Sequence, residues 1–131
     1  MFLDTSGLMC LHDLRDHRHN SAVNFYRSAQ QRTTTSYVLA EFVALAQARG
    51  APRAGALAFV GDLQDSSEIE TIWVDEDLHR QAFALLLARA DKSYSLCDAV
   101  SFVLMREKGI TEALTTDRHF EQEGFVRLLP A

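Results

Sequence analysis

The chain has 131 residues, 47% of them hydrophobic and 24% charged, with a formal net charge of -5. This size and balance predict one folded domain, spanning residues 1–131, with its own core, and they exclude a disordered chain. The acidic balance offers no broad attraction to nucleic acid, although a local patch or bound cations can still supply positive charge.

Cys10 and Cys97 stand alone, with no CxxC pair and no disulfide framework, as suits a reducing compartment. Asp4 interrupts the start too early for a secretory leader, and no apolar run is long enough to span a bilayer. The expectation is a cytoplasmic protein with no membrane segment.

Met1-Phe2-Leu3 reads as a strand that ends at the turn or helix start Asp4-Thr5-Ser6-Gly7. Leu8 to Leu14 allows a helical turn or two. Asn20 or Ser21 can cap a helix through Val23, Phe25, Tyr26 and Ala29. Thr33-Thr34-Thr35 is β-branched and predicts a second strand. A largely apolar helix follows over Thr35–Gln47, with Gly50 as its stop. Pro52 suits the first turn of the next helix, through Leu57, Phe59, Val60 and Leu63. Ile69–Val74 alternates like a strand. Glu76–Ala90 predicts a helix with Leu78, Ala82, Leu85, Leu86 and Ala88 as its apolar stripe. After the polar loop Asp91–Tyr94, Ser95 opens a helix to Lys108 that Gly109 ends. Glu112–Thr116 reads as a strand, Asp117–Phe120 as a short helix and Phe125–Leu128 as a last strand. Strands alternating with helices imply parallel βαβ units, and ligands of such sheets bind beyond the strands' carboxyl ends.

That rule directs attention to the acidic residues. Asp4 follows the first strand and Asp117 follows a late one. Either can simply cap a helix. Asp98 sits in Ser95-Leu96-Cys97-Asp98, a capping-box pattern, where the helix dipole would also keep a carboxylate ionised. Glu41 caps nothing. Its helical neighbours Tyr37, Val38, Ala44 and Leu45 carry no charge, so it reaches water, pairs with a cation from elsewhere, or serves a site. One explanation covers all four. Carboxylates that converge without cations repel one another, and a bound Mg²⁺ or Mn²⁺ removes the conflict. Such centres hydrolyse phosphodiesters.

The stretches FLDTSGL, TSYVLAEFVAL, KSYSLCDAVSFVLM and ALTTDRHFEQEGF, in that order, resemble the PIN-domain family, most closely the short VapC-like toxin ribonucleases. The resemblance covers essentially the whole chain. It implies a three-layer α/β/α sandwich around a mostly parallel sheet. It also implies a Mg²⁺- or Mn²⁺-dependent endoribonuclease with Asp4, Glu41, Asp98 and Asp117 as catalytic, metal-holding residues. In that scheme an activated water attacks phosphorus in line, leaving a 5′-phosphate and a 3′-hydroxyl. Ser6 and Thr115 would orient the carboxylates through hydrogen bonds. Further implications are an RNA substrate, a small antitoxin partner and a homodimer. Cys97 departs from the pattern, which more often has a small polar residue there, and is expected to pack without reacting.

Other residues receive plainer readings. His12, His17 and His19 fall in a polar segment and are expected in a solvated loop. His119 is expected at the surface near Asp117. Arg118 and Lys92 are the candidate RNA contacts, with Arg49 and Arg106 as further phosphate contacts. There is no HExxH, P-loop or GxGxxG. Competing readings are a stand-alone PIN-domain ribonuclease, a non-catalytic PIN-like interaction module and a phosphate-receiver domain. The receiver would want paired acids after the first strand, where Asp4 stands alone.

Overall fold

The computed structural model describes residues 1–130; Ala131, the last residue of the expected domain, lies outside the described residues. Five short strands form one sheet: β1 (Phe2–Leu3), β2 (Thr33–Thr35), β3 (Glu70–Ile72), β4 (Glu112–Leu114) and β5 (Val126–Arg127). Their order is β3-β2-β1-β4-β5, and every neighbouring pair is parallel. Parallel strands need crossover connections, and helices fill each one. α1 (Thr5–His12) and α2 (His19–Ser28) join β1 to β2, while α3 (Ser36–Ala48) and α4 (Arg53–Asp65) join β2 to β3. α5 (Glu76–Ala88) and α6 (Leu96–Lys108) lead to β4, and α7 (Arg118–Gln122) leads to β5. Right-handed crossovers put α1–α4 on one face and α5–α7 on the other, because the order of travel reverses after β3. The result is the expected α/β/α sandwich, with a sheet that is parallel throughout.

The reversal matters for function. β1 and β4 are neighbours, yet the chain leaves them in opposite directions across the sheet. Their carboxyl ends therefore border a crevice, the place where open α/β sheets bind ligands. Asp4 follows β1 directly, and Thr115-Thr116-Asp117 follows β4 directly.

Beneath that edge the core is apolar and closed. Phe2, Leu3, Phe42, Phe102, Met105, Leu114 and Phe120 are fully buried. Phe102 meets Phe120 edge-on with ring centroids 4.9 Å apart, a favoured aromatic arrangement. The two-residue β1 gains an extra tie, since the buried Thr34 Oγ1 donates to the Leu3 carbonyl at 2.9 Å. Helix termini follow their sequence signals. Thr35 Oγ1 accepts the Val38 N–H at the start of α3, and Gly109 ends α6 in the left-handed conformation at φ 68°.

Several elements differ from the sequence reading. α1 begins at Thr5, not Leu8, because extended Asp4 serves as its N-cap residue and its carbonyl accepts the Leu8 N–H at 2.9 Å. α2 begins at His19, because Asp16 organises the preceding turn: its Oδ1 takes the Arg18 N–H and its carbonyl takes the His19 N–H. Pro52 is the N-cap residue of α4 and precedes its first turn. The strands are shorter than their apolar runs, since residues past the strand ends are recruited elsewhere. The Val74 N–H, for one, donates to Ser36 Oγ. Ala88 is exposed and not part of the α5 stripe. His17 is exposed as expected, but His12 and His19 are not in a solvated loop. The His12 ring packs against Phe42 and Phe59, and His19 Nδ1 donates to the Cys10 carbonyl at 2.9 Å.

Gly7 sets how closely α1 approaches β4. A Cβ at this position would lie 2.0 Å from the Leu114 carbonyl oxygen. The obstacle is backbone, so no side-chain rotation relieves it. Gly7→Ala is expected to push α1 off β4 and to destabilise the fold by about 2–3 kcal/mol or more, as overpacking does. A urea midpoint equal to that of the wild type would contradict this reading.

Candidate active site

Four elements bring the acidic side chains to one place. Asp4 projects from the end of β1, Glu41 from the second turn of α3, Asp98 from the first turn of α6 and Asp117 from the N-cap of α7. Asp4 is 4% exposed and Asp98 is 8% exposed, which is unusual for carboxylates. Neither forms an ion pair with a Lys or Arg among the described residues.

Asp4 is held by hydroxyls. Thr115 Oγ1 donates to Asp4 Oδ2 at 2.7 Å, and Ser6 Oγ lies 3.2 Å from the same oxygen. Ser6 and Thr115 also hydrogen-bond each other at 3.0 Å. The network reaches onward, as Thr116 N–H donates to Ser6 Oγ and Asp117 N–H to Thr115 Oγ1. The loops after β1 and β4 are thus stitched together around one carboxylate.

Asp98 completes a reciprocal capping box. Its N–H donates to Ser95 Oγ, and its Oδ2 accepts the Ser95 N–H, both at 3.0 Å. Capping and site formation use the same carboxylate. Asp117 Oδ1 caps α7 by accepting the His119 N–H at 2.9 Å. Glu41 is half-buried, with no hydrogen bond or ion pair among the described residues, although it lies close enough to Asp4 and Cys97 to act on them electrostatically.

The electrostatics follow from this crowding. Burial pushes the Asp4 carboxyl up to about 7; the Thr115 hydroxyl opposes that rise, and repulsion from Asp98 and Glu41 adds to it. Asp98 is also raised, first by burial, against the pull of the Ser95 N–H and with Asp117 adding repulsion. Cys97 is buried, and burial with the three nearby carboxylates Glu41, Asp4 and Asp98 pushes its thiol far up. That makes it inert, in line with the expectation that it packs.

His119 is a correction. Its side chain is only 25% exposed and its Nδ1 is turned inward, 3.4 Å from Asp98 Oδ2 and 3.3 Å from Asp117 Oδ1. Ser93 Oγ holds the other ring nitrogen at 3.1 Å, and the ring packs edge-on against Tyr94. Arg106 is another correction. It is no free phosphate contact, because its guanidinium donates to the buried Glu123 side chain at 2.6 Å, with Arg89 on the other oxygen at 2.7 Å. Burial works against ionising Glu123, but the two guanidiniums hold its carboxyl below the usual value. Arg49 lies at the far end of α3 beside a cleft with His12, Asp13 and Asp16. Arg118 is exposed at the first position of α7 without an ion pair among the described residues. Lys92 is exposed and lies 3.8 Å from Asp91.

The donors suit a divalent cation. Oxygens of Asp98 and Asp117 and a nitrogen of His119 lie within 4.8 Å of one another, and the His119 Nδ1 is buried without a hydrogen-bond partner. Buried carboxylates with no Lys or Arg beside them among the described residues call for a positive charge, and oxygen-rich sets favour hard divalent ions. Clefts of about 480 and 570 Å³ open at the opposite edge of the sheet, around Met1, Gln31 and Glu112 and around Arg32, Ser67 and Glu70, and hold no comparable cluster.

Comparison with known proteins gives the family and the fold. The model of the PIN domain matches residues 1–125. The 23S rRNA-specific endonuclease VapC20 of Mycobacterium tuberculosis, in strains CDC 1551 / Oshkosh and ATCC 25618 / H37Rv, is 34% identical over 99% of this chain and 98% of its own length. The crystal structure of Mycobacterium tuberculosis VapC20, titled a sarcin-ricin loop cleaving toxin, superposes with a TM-score of 0.87 at 32% identity, covering 95% of each chain.

Two predictions follow from the Asp4 environment. The folded-state carboxyl is raised above its value of 3.8 in the unfolded chain. The folded state therefore holds this proton more tightly, so the group's contribution to stability is fully present below about 4 and is lost as pH rises toward 7. Urea unfolding of metal-free protein should register a loss of roughly 3–4 kcal/mol from this group across that window, and Asp4→Asn should remove that share of the slope. A slope unchanged by Asp4→Asn would contradict the assignment. Thr115→Val keeps the shape and deletes the hydroxyl donor. It should move the Asp4 titration, followed by carboxyl NMR, to higher pH and weaken divalent-cation binding at neutral pH by about tenfold. An unmoved titration would show that the hydroxyl does not support the carboxylate.

Proposed function

Because the chain belongs to the PIN-domain family, we propose that it is a divalent-metal-dependent endoribonuclease and the toxin of a toxin–antitoxin pair. The carrying observation is the set of buried carboxylates, Asp4 and Asp98, that meet Asp117 at the β1/β4 crevice with no Lys or Arg to neutralise them. The relative of matching length is a 23S rRNA-specific endonuclease. A structured loop of ribosomal RNA is accordingly the substrate class we assign.

Asp4, Asp98 and Asp117 would hold the cation, with Mg²⁺ or Mn²⁺ as the candidates. When bound, the cation supplies an activated water and offsets the charge that builds on the phosphate. Glu41, half-buried on α3 and unpaired, completes the site as a ligand or by orienting water. Ser6 and Thr115 fix the Asp4 carboxylate so that one oxygen is committed to hydroxyl donors. Arg118 stands exposed beside Asp117 and can take a phosphate of the RNA backbone, with Lys92 on the loop before Ser93 as a second contact. The overall charge of -5 makes these local cations and the bound ion the means of holding an acidic substrate.

An antitoxin that inserts a cationic side chain into the carboxylate cluster would satisfy the same charge deficit as the metal and block it. Phe83 and Leu87 lie one turn apart on α5 and are 53% and 68% exposed, which supports pairing of two copies through an apolar face. No helix among the described residues is long and apolar enough to cross a membrane. We place the protein in the cytoplasm, where its RNA substrate is found.

The test is cleavage of a ribosomal RNA fragment with Mg²⁺ or Mn²⁺, against EDTA and against Asp98→Asn. Wild type should cut only with the cation, and the variant should lose about 100-fold or more, in keeping with several kcal/mol of charge stabilisation. Equal cleavage by both proteins would sink the assignment. Glu41→Gln adds a discriminating case. It should lose activity yet unfold no more easily in metal-free buffer, with a gain of up to about 1 kcal/mol from relieved repulsion. A clear loss of metal-free stability would instead identify a structural partner for Glu41.

A further inference from the structure

His119 lies outside the acidic quartet but inside its geometry. Its Nδ1 faces Asp98 Oδ2 at 3.4 Å and Asp117 Oδ1 at 3.3 Å, and no angle makes either contact a hydrogen bond. His119 Nδ1 and carboxylate oxygens of Asp98 and Asp117 thus lie within 4.8 Å of one another. With Nδ1 bare and no cation between them, that arrangement is repulsive; a proton on the imidazole would turn it into an ion pair. Ligands about 2.0–2.2 Å from a shared ion, at tetrahedral to octahedral angles, sit roughly 3.0–3.5 Å apart. The two measured separations fall in that range.

The ring is held for this task. Ser93 Oγ meets Nε2 at 3.1 Å, and Tyr94 packs edge-on with a centroid distance of 5.2 Å. If Nε2–H donates to Ser93, Nδ1 is left bare toward the carboxylates. A hydrogen bond on the remote nitrogen is the usual way a ligating imidazole is oriented and its tautomer fixed. The backbone contributes too, since the His119 N–H donates to Asp117 Oδ1 and ties ligand to ligand.

We propose that His119 Nδ1 is a direct nitrogen ligand of a cation shared with Asp98 and Asp117, and that it tilts the site toward Mn²⁺ and away from Mg²⁺. The inference rests on the metal-dependent nuclease reading and deepens it. Mg²⁺ favours all-oxygen octahedra with several waters, whereas transition ions accept imidazole and bind mixed nitrogen–oxygen sets more tightly. His119 therefore acts as a selectivity residue, and its effect differs between ions.

Pulsed electron paramagnetic resonance of Mn²⁺ bound to the wild-type protein tests this directly. A directly bonded imidazole gives a ¹⁴N coupling, expected in wild type and absent in His119→Ala. In parallel calorimetry, His119→Ala should weaken Mn²⁺ by about tenfold and Mg²⁺ by less than about twofold. Circular dichroism checks that the variant is folded, and the wild-type spectrum stands without it. Mn²⁺ bound to wild type without nitrogen coupling overturns the ligand assignment but leaves the nuclease reading intact; His119 would then only share a proton with the carboxylates. Equal weakening of both ions overturns the selectivity. Wild type that binds neither ion overturns the nuclease reading itself, and this inference with it.

Discussion

Like charges buried together at one sheet edge are the constraint on which this molecule depends. Asp4 and Asp98 are almost wholly buried, and Asp98 repels both Asp4 and Asp117. Nothing in the apolar core requires those charges. The fold tolerates them because each also has a local duty. Asp98 closes the capping box of α6, Asp117 caps α7, and Asp4 anchors the hydroxyl network that joins the loops after β1 and β4. Local hydrogen bonds cover part of the desolvation cost. The remainder persists as raised carboxyls.

The sheet topology converts this local chemistry into a site. Reversal of strand order between β1 and β4 leaves their carboxyl ends facing one crevice. Gly7 lets α1 approach the Leu114 carbonyl closely, and that approach brings Ser6 to Thr115. α3 and α6 then need only present Glu41 from the second turn of one and Asp98 from the first turn of the other. Glu123 clamps Arg89 of the α5 end and Arg106 of α6, so those two guanidiniums are held by a carboxylate outside the quartet.

Much of this was legible in the sequence, for reasons that differ by residue. The parallel α/β order followed from strands alternating with helices. Acids placed directly after strands pointed to the ligand edge, and Glu41 stood out because its own helix gave it no partner. What remained hidden was tertiary. The demand on Gly7 depends on the Leu114 backbone, more than a hundred positions later in the chain. The inward turn of His119 depends on Ser93 from a different loop, and the capture of Arg106 depends on the burial of Glu123. His12 was hidden in the same way, since its polar neighbours in sequence say nothing of Phe42 and Phe59 in space. Spacing reveals what an element presents; it does not reveal what another element brings to meet it.

The central claim is that these carboxylates form one cation site. Anomalous diffraction from crystals soaked in Mn²⁺ above pH 8 tests it most directly, because Asp4 is then ionised. The account predicts a strong peak about 2.2 Å from carboxylate oxygens of Asp4, Asp98 and Asp117 at the β1/β4 crevice. A crystal that takes up Mn²⁺ only elsewhere, with that crevice empty of anomalous density, would contradict it.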